Sequence, residues 1–250
     1  MFEAFSIALQ TTGLPWLLLI SLSAGLVYGF AGFGAALIYM PLTTIFLTPP
    51  MAVATLAFSA IGSIVTVLPQ ALRDANKRAV AYLLGFALFF TPVGIWILRT
   101  TDPDLVRWAV STIVFGTLAV LISGWRYKAE PGPKSWSGVG TCVGLMGGAT
   151  GLNGPVLILF QLAGKDKVAQ VRANSIVVLT LSGFSYIPFL LLQGALPEGA
   201  LALGLILATP YAIGGYLGRR LFNPDRATLY RRLAYFIVLF AGLLGLPIFS

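Results

Sequence analysis

A chain of 250 residues in which 58% of positions are hydrophobic and 10% charged lacks the mixed charged surface that a soluble domain of this length needs. That excludes an aqueous globular fold and makes a lipid bilayer most of its solvent. The net charge of +8 sits on basic residues in short loops between apolar segments, which is topology signalling rather than a nucleic-acid footprint.

A spanning helix takes about 20 predominantly apolar residues. In chain order such stretches are residues 14–31, 51–68, 79–98, 105–123, 176–192, 200–217 and 233–247. Each is continuously apolar rather than alternating, which excludes a barrel and predicts an all-α polytopic bundle. Glu3 stands where a signal peptide would be basic and no small-residue cleavage site follows, so the first stretch is expected to remain as a helix. Two shorter segments, 35–47 and 139–160, are interrupted by glycine. The single cysteine, Cys142, falls in the second of them and is expected to be a small packing residue.

The chain repeats itself. A shift of 119 positions superposes Gly25, Leu26, Gly29 and Gly32 on Gly144, Leu145, Gly148 and Gly151, and pairs Ala54, Ser63, Pro69 and Gly85 with Ala173, Ser182, Pro188 and Gly204. Small drifts in offset then pair Thr91-Pro92 with Thr209-Pro210, Arg99 with Arg219, and Pro103-Asp104 with Pro224-Asp225. Matched prolines are hard to obtain from apolar composition alone. The expected organisation is one membrane domain of two repeats, residues 1–127 and 128–250.

All of the 16 Lys and Arg residues except Arg99 and Arg107 fall in four loops: around Arg73–Arg78, Arg126–Lys134, Lys165–Arg172 and Arg219–Arg232. If these loops are cytoplasmic, residues 51–68 run inward, 79–98 outward and 105–123 inward, whereas 176–192 run outward, 200–217 inward and 233–247 outward. Equivalent helices then point in opposite directions, and both termini lie on the outer, periplasmic side of the inner membrane. Residues 14–47 and 139–160 become glycine-broken hairpins, spanning or re-entrant, each followed by three crossing helices. Inverted repeats of this kind characterise secondary transporters.

The hairpin turns read Gly29-Phe30-Ala31-Gly32-Phe33-Gly34 and Gly148-Ala149-Thr150-Gly151-Leu152-Asn153-Gly154-Pro155. Non-helical backbone at membrane depth needs shelter from lipid. Where the chain re-enters a helix, at Ala35 and at Pro155, free N–H groups and the positive dipole end form an anion site without a charged side chain. Candidate substrate-binding residues are therefore Gly29, Ala31, Gly32, Phe33 and Gly34 in the first turn, and Gly148, Thr150, Gly151, Asn153 and Gly154 in the second. Gly25 and Gly144, deeper in the first arms, read as helix-packing glycines. Asn174, Ser175, Thr180, Ser182 and Ser185, with Thr55, Ser59, Ser63 and Thr66 on the repeat partner, form hydroxyl-bearing faces that either extend the cavity or bond back to their own helices. Of these, Asn174, Thr55 and Ser59 join the candidate site. So does Arg172, which either attracts anions or is an ordinary basic flank.

The chain has no histidine, and its 8 acidic residues lie outside the expected spans. A carboxylate or histidine proton relay therefore has no candidates. Nor does a membrane-embedded enzyme, a metal centre or a cofactor.

The glycine-rich turn followed by a helix and Pro41, repeated from Gly148 to Pro155, resembles the TauE/SafE family of sulfite and sulfonate exporters over nearly the whole chain. Ala35 and Ala36 depart from it, standing where further glycine is common, and Asn153 gives the second turn a polar tip. The resemblance implies an inner-membrane permease for sulfite, organosulfonates or related sulfur anions. An anion channel with a continuous pore is the alternative. The sequence assigns neither exact substrate nor oligomeric state.

Overall fold

The computed structural model describes residues 2–124, 132–163, 168–221 and 227–246. These form an all-helical bundle, with no β-strand among the described residues. Six helical stretches are long and apolar enough to cross a membrane: Leu14–Ala31, Pro49–Thr66, Lys77–Thr100, Pro103–Ser123, Ala169–Leu192 and Ala200–Leu221. The seventh expected span, 233–247, belongs to a helix whose apolar described part, Tyr235–Leu244, is shorter than a full crossing.

The first half contains α1 (Phe2–Leu9), α2 (Leu14–Ala31), α3 (Ala35–Thr43), α4 (Pro49–Ser59), α5 (Ile61–Thr66), α6 (Leu68–Asp74), α7 (Lys77–Thr100) and α8 (Pro103–Ser123). The second contains α9 (Pro133–Thr150), α10 (Gly154–Ala163), α11 (Val168–Phe184), α12 (Tyr186–Leu192), α13 (Ala200–Leu221) and α14 (Ala227–Leu244). The two hairpins are α2–α3 and α9–α10. Helix α1, at 8 residues, is too short to leave a spanning signal, and the sequence reading missed it.

Local chemistry sets the boundaries. The Asn76 side chain accepts from the N–H groups of Arg78 and Ala79 at 3.1 and 3.2 Å and caps α7. Asp102 does the same for α8, accepting from Asp104 and Leu105, with Pro103 at the first helical position. The matching Pro224-Asp225 lies outside the described residues. The second spanning helix is interrupted at Ala60 and Val67, ahead of Pro69, and its counterpart at Ser185.

The hairpins are exchanged between halves: α2 packs along α13, and α9 along α7. Glycine makes both approaches possible. A Cβ on Gly25 or Gly29 would fall under 3.0 Å from the carbonyl oxygens of Tyr211 and Gly215, and one on Gly214 or Gly218 would meet Leu22 and Leu26 equally closely. Across the other pair, a Cβ on Gly140 would sit 2.5 Å from Leu83 O and one on Gly148 2.6 Å from Thr91 O, with Gly94 answering 2.5 Å from Leu145 O. Along each pair the contacting residue numbers rise together, so both pairs are parallel.

Helix α3 is buried at Ala35–Pro41 and at Thr43, so protein rather than lipid surrounds the first re-entry. Lipid-facing surface falls elsewhere, where Phe89, Trp96 and Trp108 are exposed. Cys142 is exposed, a correction to its expected packing role: the glycines beside it make the close approach to α7, and Cys142 faces away.

Candidate functional site

Both breaks are glycine turns of one design. Helix α2 ends with Gly32 at φ +79°, its N–H donating to Tyr28 O at 2.8 Å, and α9 ends with Gly151 at φ +74°, its N–H donating to Gly147 O at 2.8 Å. These left-handed C-caps strain any residue with a Cβ. Helix α3 then starts behind Gly34, at φ +91°, with no side chain capping its N-terminus. Its first amides lack intrahelical acceptors.

The two re-entries meet. A Cβ on Gly154 would lie 4.0 Å from Gly34 N and 3.8 Å from a Leu179 methyl. Between them is a cavity of about 40 Å³, lined by Gly34, Ala35 and Ala36 of the first break and Gly151, Asn153 and Gly154 of the second. By the usual requirement of roughly 10–15 Å³ per water, it has room for about three water-sized groups. Its remaining wall is apolar but for a few hydroxyls and Asn153. Among the described residues, no Lys, Arg, Asp or Glu lines it.

The polar lining crosses both halves. Asn153 donates through Nδ2 to Leu179 O at 3.3 Å and Ser182 Oγ at 3.2 Å. Tyr28 Oη donates to Ile176 O at 3.1 Å and lies 2.7 Å from Thr180 Oγ1, which is 3.4 Å from Ser63 Oγ. Tyr186 and Tyr211 complete the aromatic wall.

The description "Sulfite exporter TauE/SafE" belongs to a family model that matches residues 17–244. The chain belongs to this family. It is also 27% identical, over 84% of its own length and 85% of the relative's, to the "Probable sulfite/organosulfonate exporter TauE" of Cupriavidus necator. No solved structure matches it.

In this TauE/SafE protein, four of the expected site residues line the cavity: Gly34, Gly151, Asn153 and Gly154. The others are placed differently. Gly29 and Gly148 are the packing seats described above, a structural duty that glycine spacing alone does not separate from ligand contact. Ala31, Gly32 and Phe33 belong to the first turn but stand outside the cavity wall; Gly32 packs against Arg172. Thr150 is spent on its own turn, donating to Met146 O at 2.7 Å and accepting from Leu152 N–H at 3.3 Å.

Arg172 is tied to a helix end. Its guanidinium donates to Phe30 O at 2.9 Å and to Gly29 O, satisfying carbonyls of the last turn of α2 and opposing the negative end of that dipole. Asn174 Oδ1 accepts from Asn76 N–H at 2.8 Å, fixing the entry to α7. Thr55 donates to Met51 O at 2.8 Å and accepts from Tyr39 Oη at 3.0 Å, while Ser59 donates to Thr55 O at 2.7 Å and Gly204 O at 3.3 Å. For Thr55 and Ser59, back-bonding to their own helix is realised. None of these four lines the cavity.

The cavity residues absent from the expected site are chiefly Tyr28, Tyr186, Tyr211, Ser63 and Thr180. Ser63 and Thr180 stood on the polar faces noted in the sequence. The tyrosines carried a usable signal that was passed over: a phenol inside a membrane span needs a polar partner for its tip.

Proposed function

We propose that this protein is an inner-membrane permease for sulfite, an organosulfonate or a related sulfur-containing anion, which binds in the cavity where the two helix breaks meet. The observation that carries this reading is the convergence of α3 and α10, whose N-termini flank one cavity. Amides at such ends, with the positive dipole pole behind them, attract an anion without a fixed charge. Arg172, by holding the carbonyl end of α2, limits the opposing field from the first arm.

Alternating exposure of the site follows from the exchanged hairpins. Each re-entrant element is packed on a crossing helix of the other half, so tilting one half against the other carries the breaks with it. The parallel pairs α2–α13 and α7–α9 agree with the directions given by the basic loops, and support two inverted repeats with both termini outside. An inside-negative potential drives an anion outward by about 2.3 kcal/mol per charge per 100 mV, which supplies export without a coupling ion. The relative in Cupriavidus necator, a probable sulfite/organosulfonate exporter, supports the substrate class.

The test is flux in proteoliposomes with radiolabelled sulfite and a small organosulfonate, with a neutral amino acid as control. Saturation and counterflow of labelled substrate are expected. Flux that rises linearly with concentration and shows no counterflow would replace the carrier with a pore.

A further inference from the structure

A fully buried polar atom in the cavity wall is left over. Tyr186 is 2% exposed and lines the cavity, yet its Oη makes no hydrogen bond of normal geometry, with only the Asn153 side chain in loose reach. The hydroxyl is seated over Gly147, where a Cβ would strike it, and beside Asn153 at the second break. Glycine at 147 therefore makes room for it. Position 147 is the repeat equivalent of Tyr28, whose own hydroxyl is fully engaged with Ile176 O and Thr180. Of the cavity phenols, that of Tyr28 is spent on protein partners, whereas that of Tyr186 is sealed in the wall without a well-formed bond. A buried donor without a well-formed bond is costly, and the adjoining cavity is where a partner fits.

The charge balance of the same space is also specific. No cationic side chain lines it among the described residues. The positive counterpart is supplied by two helix N-termini, each equivalent to about half a charge, which together offset about one negative charge. A second charge on the ligand would be buried uncompensated.

Building on the transport reading of this site, we infer that the cavity selects a singly charged oxyanion, a sulfonate or hydrogen sulfite, over doubly charged anions of the same shape, and that Tyr186 Oη donates a hydrogen bond to one of its oxygens. Tyr186 is then a ligand-binding residue, and selectivity rests on charge rather than size.

Two measurements on the full chain in proteoliposomes test this. The first uses the wild-type protein and needs no variant. Methanesulfonate and methylphosphonate, closely matched in shape, compete against a labelled sulfonate at alkaline pH, where the phosphonate carries two charges. Methanesulfonate is expected to compete at least about tenfold better, the loss for one uncompensated interaction with a charged group. The second compares Tyr186→Phe with wild type. KM for the sulfonate should rise about tenfold, while Tm without substrate stays level or rises, because the hydroxyl removed makes no well-formed bond there. A structural hydroxyl would give the reverse, a lowered Tm with KM unchanged, and would overturn the role of Tyr186. Equal competition by the two anions would overturn charge selection while leaving the transport reading intact. Absence of any sulfonate or sulfite flux through the folded wild-type protein would overturn both.

Discussion

Gly148 was expected at the anion site, and its position in the structure predicts something else for it. In Gly148→Ala the new Cβ would stand 2.6 Å from Thr91 O and 2.9 Å from backbone atoms of Gly94. Real Cβ contacts essentially never fall under 3.0 Å, and every atom met is backbone, so no side chain can rotate away and α9 must lift off α7. Overpacking of this kind costs about 1–3 kcal/mol. Gly85, on the same helix pair, has nothing within 4 Å of its Cβ position, so Gly85→Ala should bring only the helix-propensity gain of about 0.5–1 kcal/mol. At roughly 2–4 °C per kcal/mol for a chain of this size, thermal unfolding of the detergent-solubilised protein should fall by several degrees for Gly148→Ala and rise by a few for Gly85→Ala. Shifts of the same sign would refute the packing account of α7 and α9. An unchanged Tm for Gly148→Ala with a raised KM would return Gly148 to the substrate site.

Asn153→Leu removes the amide that spans the second break to Leu179 and Ser182, and should cut transport while leaving the protein folded; unchanged flux would take Asn153 out of the site. Arg172→Gln strips the guanidinium from the Gly29 and Phe30 carbonyls. Since a buried group left unpaired costs about 1–3 kcal/mol, Tm should drop, and a variant as stable as wild type would contradict the capping role. Ser59→Ala should leave KM for the sulfonate within about twofold, because its hydroxyl bonds to Thr55 O and Gly204 O and lies outside the cavity wall; a large KM change would restore it to the binding residues. Reporter fusions should place both termini on the outer side, and a cytoplasmic C-terminus would break the inverted-repeat argument.

Much of this architecture was legible because a bilayer makes few demands and makes them strictly. Span length and apolarity are local features, and the spanning helices formed where they pointed, although the caps at Asn76 and Asp102 that fix their starts were not read from the sequence. The breaks at Gly32–Gly34 and Gly151–Gly154 were legible for the same reason, since clustered glycine cannot continue a helix cheaply. Tertiary assignment was not local. Thr55 and Ser59 carry the same hydroxyl chemistry as Ser63 and Thr180, and Asn174 is as polar; only the placement of α4, α5 and α11 decides which of them meets the cavity. Gly29 and Gly34 are one residue type in one turn, yet one admits a neighbouring backbone and the other opens on the cavity. The exchange of hairpins between halves left no trace in periodicity. The phenol of Tyr186 was visible in its span, but its setting was not, because that depends on Gly147, which lies 39 residues earlier in the chain.

The most direct test of the central claim, that substrate occupies the space between the two breaks, is substrate protection of a thiol placed in its wall. Ala60 lines the cavity without belonging to either break, and Cys142 is the single native cysteine. An Ala60→Cys, Cys142→Ala protein in liposomes would be labelled with a small methanethiosulfonate reagent at rising concentrations of methanesulfonate. Labelling that slows saturably, with half-protection near the KM for transport, is the predicted result. A labelling rate that stays the same at concentrations saturating transport would place the substrate elsewhere.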